Sequence, residues 1–138
     1  MRRRILAGLG LAVALVASRA ATSEGALDAY LPLRAAPEFH RALLENDAVL
    51  VLDVSIPAGA TVPAHLHPWP AVFITVQPAH LIFRNLEGKI LRDVPAPATA
   101  VEQPLVVWRK PGTEPATVTN VDSRAQRAIR VELKLLGS

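Results

Sequence analysis

From residue 49 onward the chain is cut into short apolar runs, each stopped by proline, glycine or asparagine. Val49–Ile56 halts at Pro57-Ala58-Gly59, Ala71–Val76 at Gln77-Pro78-Ala79, and Leu81–Phe83 at Asn85-Leu86-Glu87-Gly88. Lys89–Val94 runs into the Pro95–Ala98 loop, Leu105–Trp108 into Lys110-Pro111-Gly112, and Ala116–Val121 leads to a last run, Ala128–Leu135. Runs this short and this rich in valine and isoleucine are strands, and turn residues between them fix their number at seven or eight. Such spacing folds as a sandwich or a closed barrel. Only Glu38–Leu44 reads equally as helix or strand. The last run alternates apolar and charged residues, which predicts a half-buried strand with Arg130, Glu132 and Lys134 toward solvent. Val51, Val54, Ile74, Leu81, Phe83, Val107, Val131 and Leu133 are the expected core.

With 138 residues there is room for one domain. The N-terminus carries its own pattern. Arg2-Arg3-Arg4 precedes an apolar stretch from Ile5 to Ala17, and Ser18-Arg19-Ala20 offers small residues at the −3 and −1 positions of a cleavage site. That stretch is shorter than the ~20 residues of a membrane span. Residues 1–20 are therefore predicted to be a cleaved signal peptide, by the general or the twin-arginine route, with no stable membrane anchor afterwards. The mature chain is expected in the periplasm or outside the cell. Residues 21–37 read as a loose leader or an edge strand, and 38–138 as the domain.

The signal peptide also accounts for the basic balance. The chain has 15 Lys+Arg against 12 Asp+Glu, and Arg2, Arg3, Arg4 and Arg19 all lie in the first 20 residues; without them the count is 11 against 12. A nucleic-acid partner loses its electrostatic basis. Cysteine is absent, so the domain must be stable without disulfides.

One motif carries chemistry: Gly59-Ala60-Thr61-Val62-Pro63-Ala64-His65-Leu66-His67. Histidines at i and i+2 on an extended segment share a face, so both imidazoles can meet one cation. The glycine suits a turn before the strand. This stretch resembles the first motif of the cupins, a glycine, five residues, then His-x-His. Glu45-Asn46-Asp47, Pro57-Ala58-Gly59, His67-Pro68-Trp69-Pro70, Val107-Trp108, Thr119-Asn120-Val121 and Val131-Glu132-Leu133-Lys134 look like small single-domain bacterial cupins, in the right order over about residues 38–136. The resemblance implies an all-β, cupin-type double-sheet β-barrel, jelly-roll-like, with a ligand pocket at its mouth.

Two of the metal ligands the resemblance implies are missing. A glutamate four or five residues after His67 would fall on Ala71 or Val72, and the histidine of the second motif on Pro115 or Ala116. His65 and His67 alone make a poor site for iron, zinc or manganese. Glu114 is a candidate third ligand, although Lys110–Pro115 also reads as a solvated loop. His80 and His40 read as surface groups. Trp69, between two prolines, suits a lid over a pocket; Phe73 and Trp108 can line it, though Trp108 also suits the core.

No nucleophile elbow, phosphate loop or dinucleotide fingerprint occurs. Three readings stay open: an exported small-molecule-binding protein with a degenerate metal site at His65 and His67, a metal-dependent enzyme of the dioxygenase or isomerase kind, and an interaction protein acting through a dimer face. A homodimer is expected, built by sheet extension through the N-terminal segment or the last strand.

Overall fold

A computed structural model describes residues 21–136. The predicted signal peptide, 1–20, lies outside the described residues. Two short helices, α1 (Ala21–Asp28) and α2 (Pro32–Ala35), lead into nine strands: β1 His40–Glu45, β2 Val49–Ile56, β3 Thr61–His65, β4 Ala71–Gln77, β5 Leu81–Arg84, β6 Ile90–Val94, β7 Leu105–Arg109, β8 Ala116–Asn120 and β9 Gln126–Leu133. All pairings are antiparallel, and they make a five-stranded sheet of order β1-β2-β9-β4-β7 facing a four-stranded sheet of order β3-β8-β5-β6. This is the two-sheet β-barrel expected from the sequence.

Turn chemistry sets the strand ends. Asn46 Oδ1 accepts from the Ala48 and Val49 N–H groups and closes the β1–β2 hairpin. Gly59 and Gly88 have φ of 73° and 82°, a conformation that a side chain would strain, and so end the strands before them. Asn120 is fully buried, and its amide donates to the Ile56, Pro57 and Arg124 carbonyls, tying two turns together.

The core fills the space between the sheets: Leu50, Leu52, Val54 and Ile56 of β2 pack with Val62, Leu81, Val118 and Ala128, and Phe83 packs against them. Val54, Leu81 and Phe83 match the expected core. Val51, Ile74, Val131 and Leu133 do not. They share the outer face of the five-stranded sheet, where Val51 pairs with Val131 and Ile74 with Ile129. Val107 pairs with Phe73 and lines the cavity between the sheets.

Three further expectations are corrected. Strand β9 does alternate, but Ala128, Arg130 and Glu132 point inward, with Arg130 and Glu132 almost wholly buried. Only Lys134, past the strand end, reaches the rim, where it pairs with Glu45 at 2.8 Å. Of the leader or edge strand expected over residues 21–37, the strand is absent: 21–28 and 32–35 are helical, Pro32 and Ala36 are buried, and the Leu66 N–H donates to the Tyr30 carbonyl. Finally, β9 lies between β2 and β4, so the last strand offers no free edge for sheet extension. The ambiguous 38–44 segment is a strand.

Candidate metal centre

Two segments of chain converge on one point. His65 ends β3 and His67 follows it two residues later, as the motif requires. Gly112 holds that segment in place: its N–H donates to the His67 carbonyl at 2.8 Å, and a Cβ on Gly112 would sit 3.2 Å from that oxygen and 2.7 Å from Leu66 Cδ1. The third member is His40, at the start of β1, and one ring nitrogen of each histidine lies within 4.8 Å of the others. The ring centroids stand 4.8, 5.3 and 5.0 Å apart, with planes inclined at 59° to 83°, so the rings meet at their edges and do not stack.

His40 reaches the interior because of a β-bulge. Glu45 pairs with Leu50 and Leu44 with Val51, but the next pair is Ala42 with Leu52, leaving Leu43 as the extra residue. Past the bulge His40 is opposite Val54, whose side chain points into the core; an unbroken ladder would set it opposite Ser55, on the outer face. Re-aiming a side chain beside a site is a common use of bulges.

The hydrogen bonds fix which nitrogen each ring presents. His40 Nδ1 donates to the Ala36 carbonyl at 3.0 Å and His65 Nδ1 to the Pro63 carbonyl at 2.8 Å, since a carbonyl has no proton to give. His67 Nδ1 lies 2.5 Å from Glu132 Oε1, which also accepts from Arg130 Nε at 2.8 Å. All three rings are thus held as the Nδ1–H tautomer, and the Nε2 lone pairs remain. A carboxylate or carbonyl behind each imidazole is the arrangement that orients histidine ligands for a metal. Glu132 Oε2 is buried with no partner among the described residues, so this carboxylate can accept one more donor, such as a water.

Burial keeps the rings uncharged. It pushes the His40 pKa down to about 3, with His67 and His65 adding repulsion. Burial likewise lowers His65, with Arg130 adding to it, and takes His67 well below the ordinary value, where Arg130 and His65 both contribute. Glu132 is raised by burial against the pull of Arg130, and Arg130 is lowered by burial against the pull of Glu132. Three neutral, oriented imidazoles are the donor set that zinc, iron or manganese would accept, and three histidines suffice for a site with open positions. The residues present fit a divalent metal.

This cluster opens into a cavity of about 640 Å³ between the sheets. His40, His65, His67, Phe73 and Trp108 all line it. Trp69 does not: it packs half-buried against the core with Lys134 Nζ 5.6 Å from its ring. Glu114 is exposed in the loop before β8 and stands outside the histidine group; it borders a smaller hollow that shares His65, His67, Phe83 and Arg92 with the cavity. The third residue of the cluster is His40, which the sequence left on the surface. His80 is a partly exposed group paired with Asp93 at 2.6 Å. Of the residues missed from the sequence, His40 and Arg130 carry no motif, and the stretch around Glu132 gives it no role. Only knowledge of the bulge and of which face of β9 turns inward would have found them.

No family model matches the chain, and no curated protein matches its sequence. Solved structures do. A cupin domain from Bordetella pertussis is 19% identical, with 69% of this chain and 91% of that chain aligned at a TM-score of 0.54. A cupin-family protein with a double-stranded β-helix fold from Methanocaldococcus jannaschii is 12% identical over 68% of this chain and 77% of its own, at a TM-score of 0.49. A conserved protein with a double-stranded β-helix domain from Klebsiella pneumoniae is 16% identical over 78% and 86%, at 0.48. The chain has the cupin fold.

Proposed function

We propose that this is an exported cupin-type domain that binds a small organic molecule beside a divalent metal held by His40, His65 and His67. One observation carries it: each of the three Nδ1 groups is spent on an oxygen behind its ring, which leaves the Nε2 lone pairs of three clustered imidazoles unspent at a 640 Å³ cavity. A relic pair of histidines packed in a core has no need of a third, equally oriented one. Site rigidity follows from the same bonds, because Glu132 is anchored by Arg130 and His40 by the docked leader at Ala36.

A second reading, a metal-dependent enzyme, is favoured by the ligand count. Three protein ligands leave coordination positions for substrate, and a divalent ion there would supply Lewis-acid chemistry. The chain's own residues would then bind and orient: apolar walls exclude water, and Glu132 holds the His67 proton at Nδ1. Two other parts of the proposal concern the whole chain. Export is supported by the pattern of residues 1–20, and a homodimer by Val106 and Trp108, both more than half exposed on edge strand β7.

Titration of the purified, chelator-stripped domain with Co²⁺ or Zn²⁺, followed by elemental analysis, tests the metal site. One equivalent is expected, with His40→Ala and His67→Ala each losing it. A parent chain that retains no metal after desalting would overturn the proposal.

A further inference from the structure

We propose that the ligand of this cavity is an organic anion, its carboxylate held between Arg92 and Arg109 and its apolar body lying against Phe73, Phe83 and Val107. The inference deepens the small-molecule reading above by naming the chemical class, and it rests on that reading only for the cavity.

The lining is one-sided in charge. Arg92, Arg109, Lys110 and Arg130 all face the cavity, and no aspartate or glutamate is among its lining residues. Arg130 has its counter-charge in Glu132. Arg92 and Arg109 have none: neither guanidinium makes an ion pair or a hydrogen bond with any described residue. Each is placed instead over an aromatic ring inside the cavity, the Arg92 guanidinium 3.9 Å from the centre of Phe83 and that of Arg109 5.7 Å from Phe73.

The strands explain the placement. Arg92 on β6 pairs directly with Phe83 on β5, in the four-stranded sheet. Arg109 on β7 pairs with Ala71, two residues from Phe73 on β4, in the five-stranded sheet. The two guanidiniums therefore reach the cavity from opposite sheets, yet are close enough to feel each other: Arg92 is lowered first by burial, then by Arg109 and Arg130. Like charges gathered without an acid, on a floor of aromatic rings, gain most from an anion between them. A guanidinium recognises a carboxylate through paired, charge-assisted hydrogen bonds. The rest of the lining, with Val54, Leu81, Val107 and Val118, suits an apolar body and would repel a fully hydrated anion such as phosphate.

Benzoate, benzamide, octanoate, acetate and inorganic phosphate are the probes, titrated by calorimetry. Benzoate or octanoate should bind saturably and weaken with added salt, benzamide should bind about tenfold more weakly or worse, and acetate and phosphate weaker still. Arg92→Gln, at an exposed residue, and Arg109→Gln, at a half-buried one, should each cost about tenfold in carboxylate affinity while Co²⁺ stoichiometry stays at the parent's value. Benzamide binding as tightly as benzoate, phosphate binding better than either, or no saturable carboxylate binding at all would overturn the proposal. Carboxylate binding in a chain that takes no metal would sink the metal centre alone and leave this inference standing.

Discussion

Replacing His40 by alanine should change how stability depends on pH, and by an amount the structure sets. His40 is 4% exposed and its pKa is pushed down to about 3 from an ordinary 6.5, first by burial. In the folded chain it stays neutral, whereas an unfolded copy begins to take up a proton near pH 6.5. The stability tied to its neutral state is therefore complete above about pH 6.5 and is lost steadily as pH falls toward 3. At about pH 5 the loss from this one residue is about 2 kcal/mol, from linkage at ~1.4 kcal/mol per pH unit. His65 and His67 shift in the same direction and add to it; Glu132, shifted upward, contributes in the opposite sense. Urea unfolding with chelator present, at about pH 7.5 and about pH 5, measures the difference for parent and His40→Ala. Removing the ring also leaves a cavity, but that cost is the same at both pH values and cancels. The parent should lose about 2 kcal/mol more than the variant on acidification. Equal losses would mean that His40 is solvated and titrates normally, and the three-histidine cluster would fall with it.

Deleting Leu43, the extra residue of the β1 bulge, should straighten the strand while keeping His40 opposite Val54, so Co²⁺ binding should survive; a folded deletion variant without it would refute this account of how His40 is aimed. Mass spectrometry of the chain from its native envelope should find an N-terminus at or near Ala21, and an intact Met1 in a soluble cytoplasmic pool would rule export out. Light scattering at micromolar concentration should show a dimer, with Val106→Glu on the exposed face of β7 shifting it to monomer; a monomeric parent ends that proposal.

The barrel was legible because its determinants are local. Proline, glycine and asparagine stop each run, and the positive φ of Gly59 and Gly88 falls where the turn residues predicted. Period was legible too in β9. Phase was not. Along β9 the residues alternate Ala128, Ile129, Arg130, Val131, Glu132, Leu133, and hydropathy alone puts the charges outside. In the folded chain the outer face of the five-stranded sheet is itself apolar, with Val51, Val72, Ile129 and Val131 side by side across β2, β9 and β4, so the greasy half of β9 has neighbours on that side. The charged half can then be spent inside, where Arg130 and Glu132 satisfy each other and hold His67.

The site was half legible for a related reason. His65 and His67 announce themselves by spacing, because a two-residue period survives on any straight strand. His40 lies 25 residues upstream and depends on pairing, which sequence does not display. Counted back from the Asn46 turn as a plain hairpin, it lands opposite Ser55, on the outside; one bulged leucine reverses that. Glu132 was hidden by its strand's phase, and Arg92 and Arg109 by lying on different sheets, where nothing in the linear order brings them together. The absent family ligands near Ala71 and Ala116 then read as erosion, when the chain brings a third imidazole to the same point from β1. A missing residue in a motif is evidence about one position; the loss of a site requires that no other strand can reach the same point.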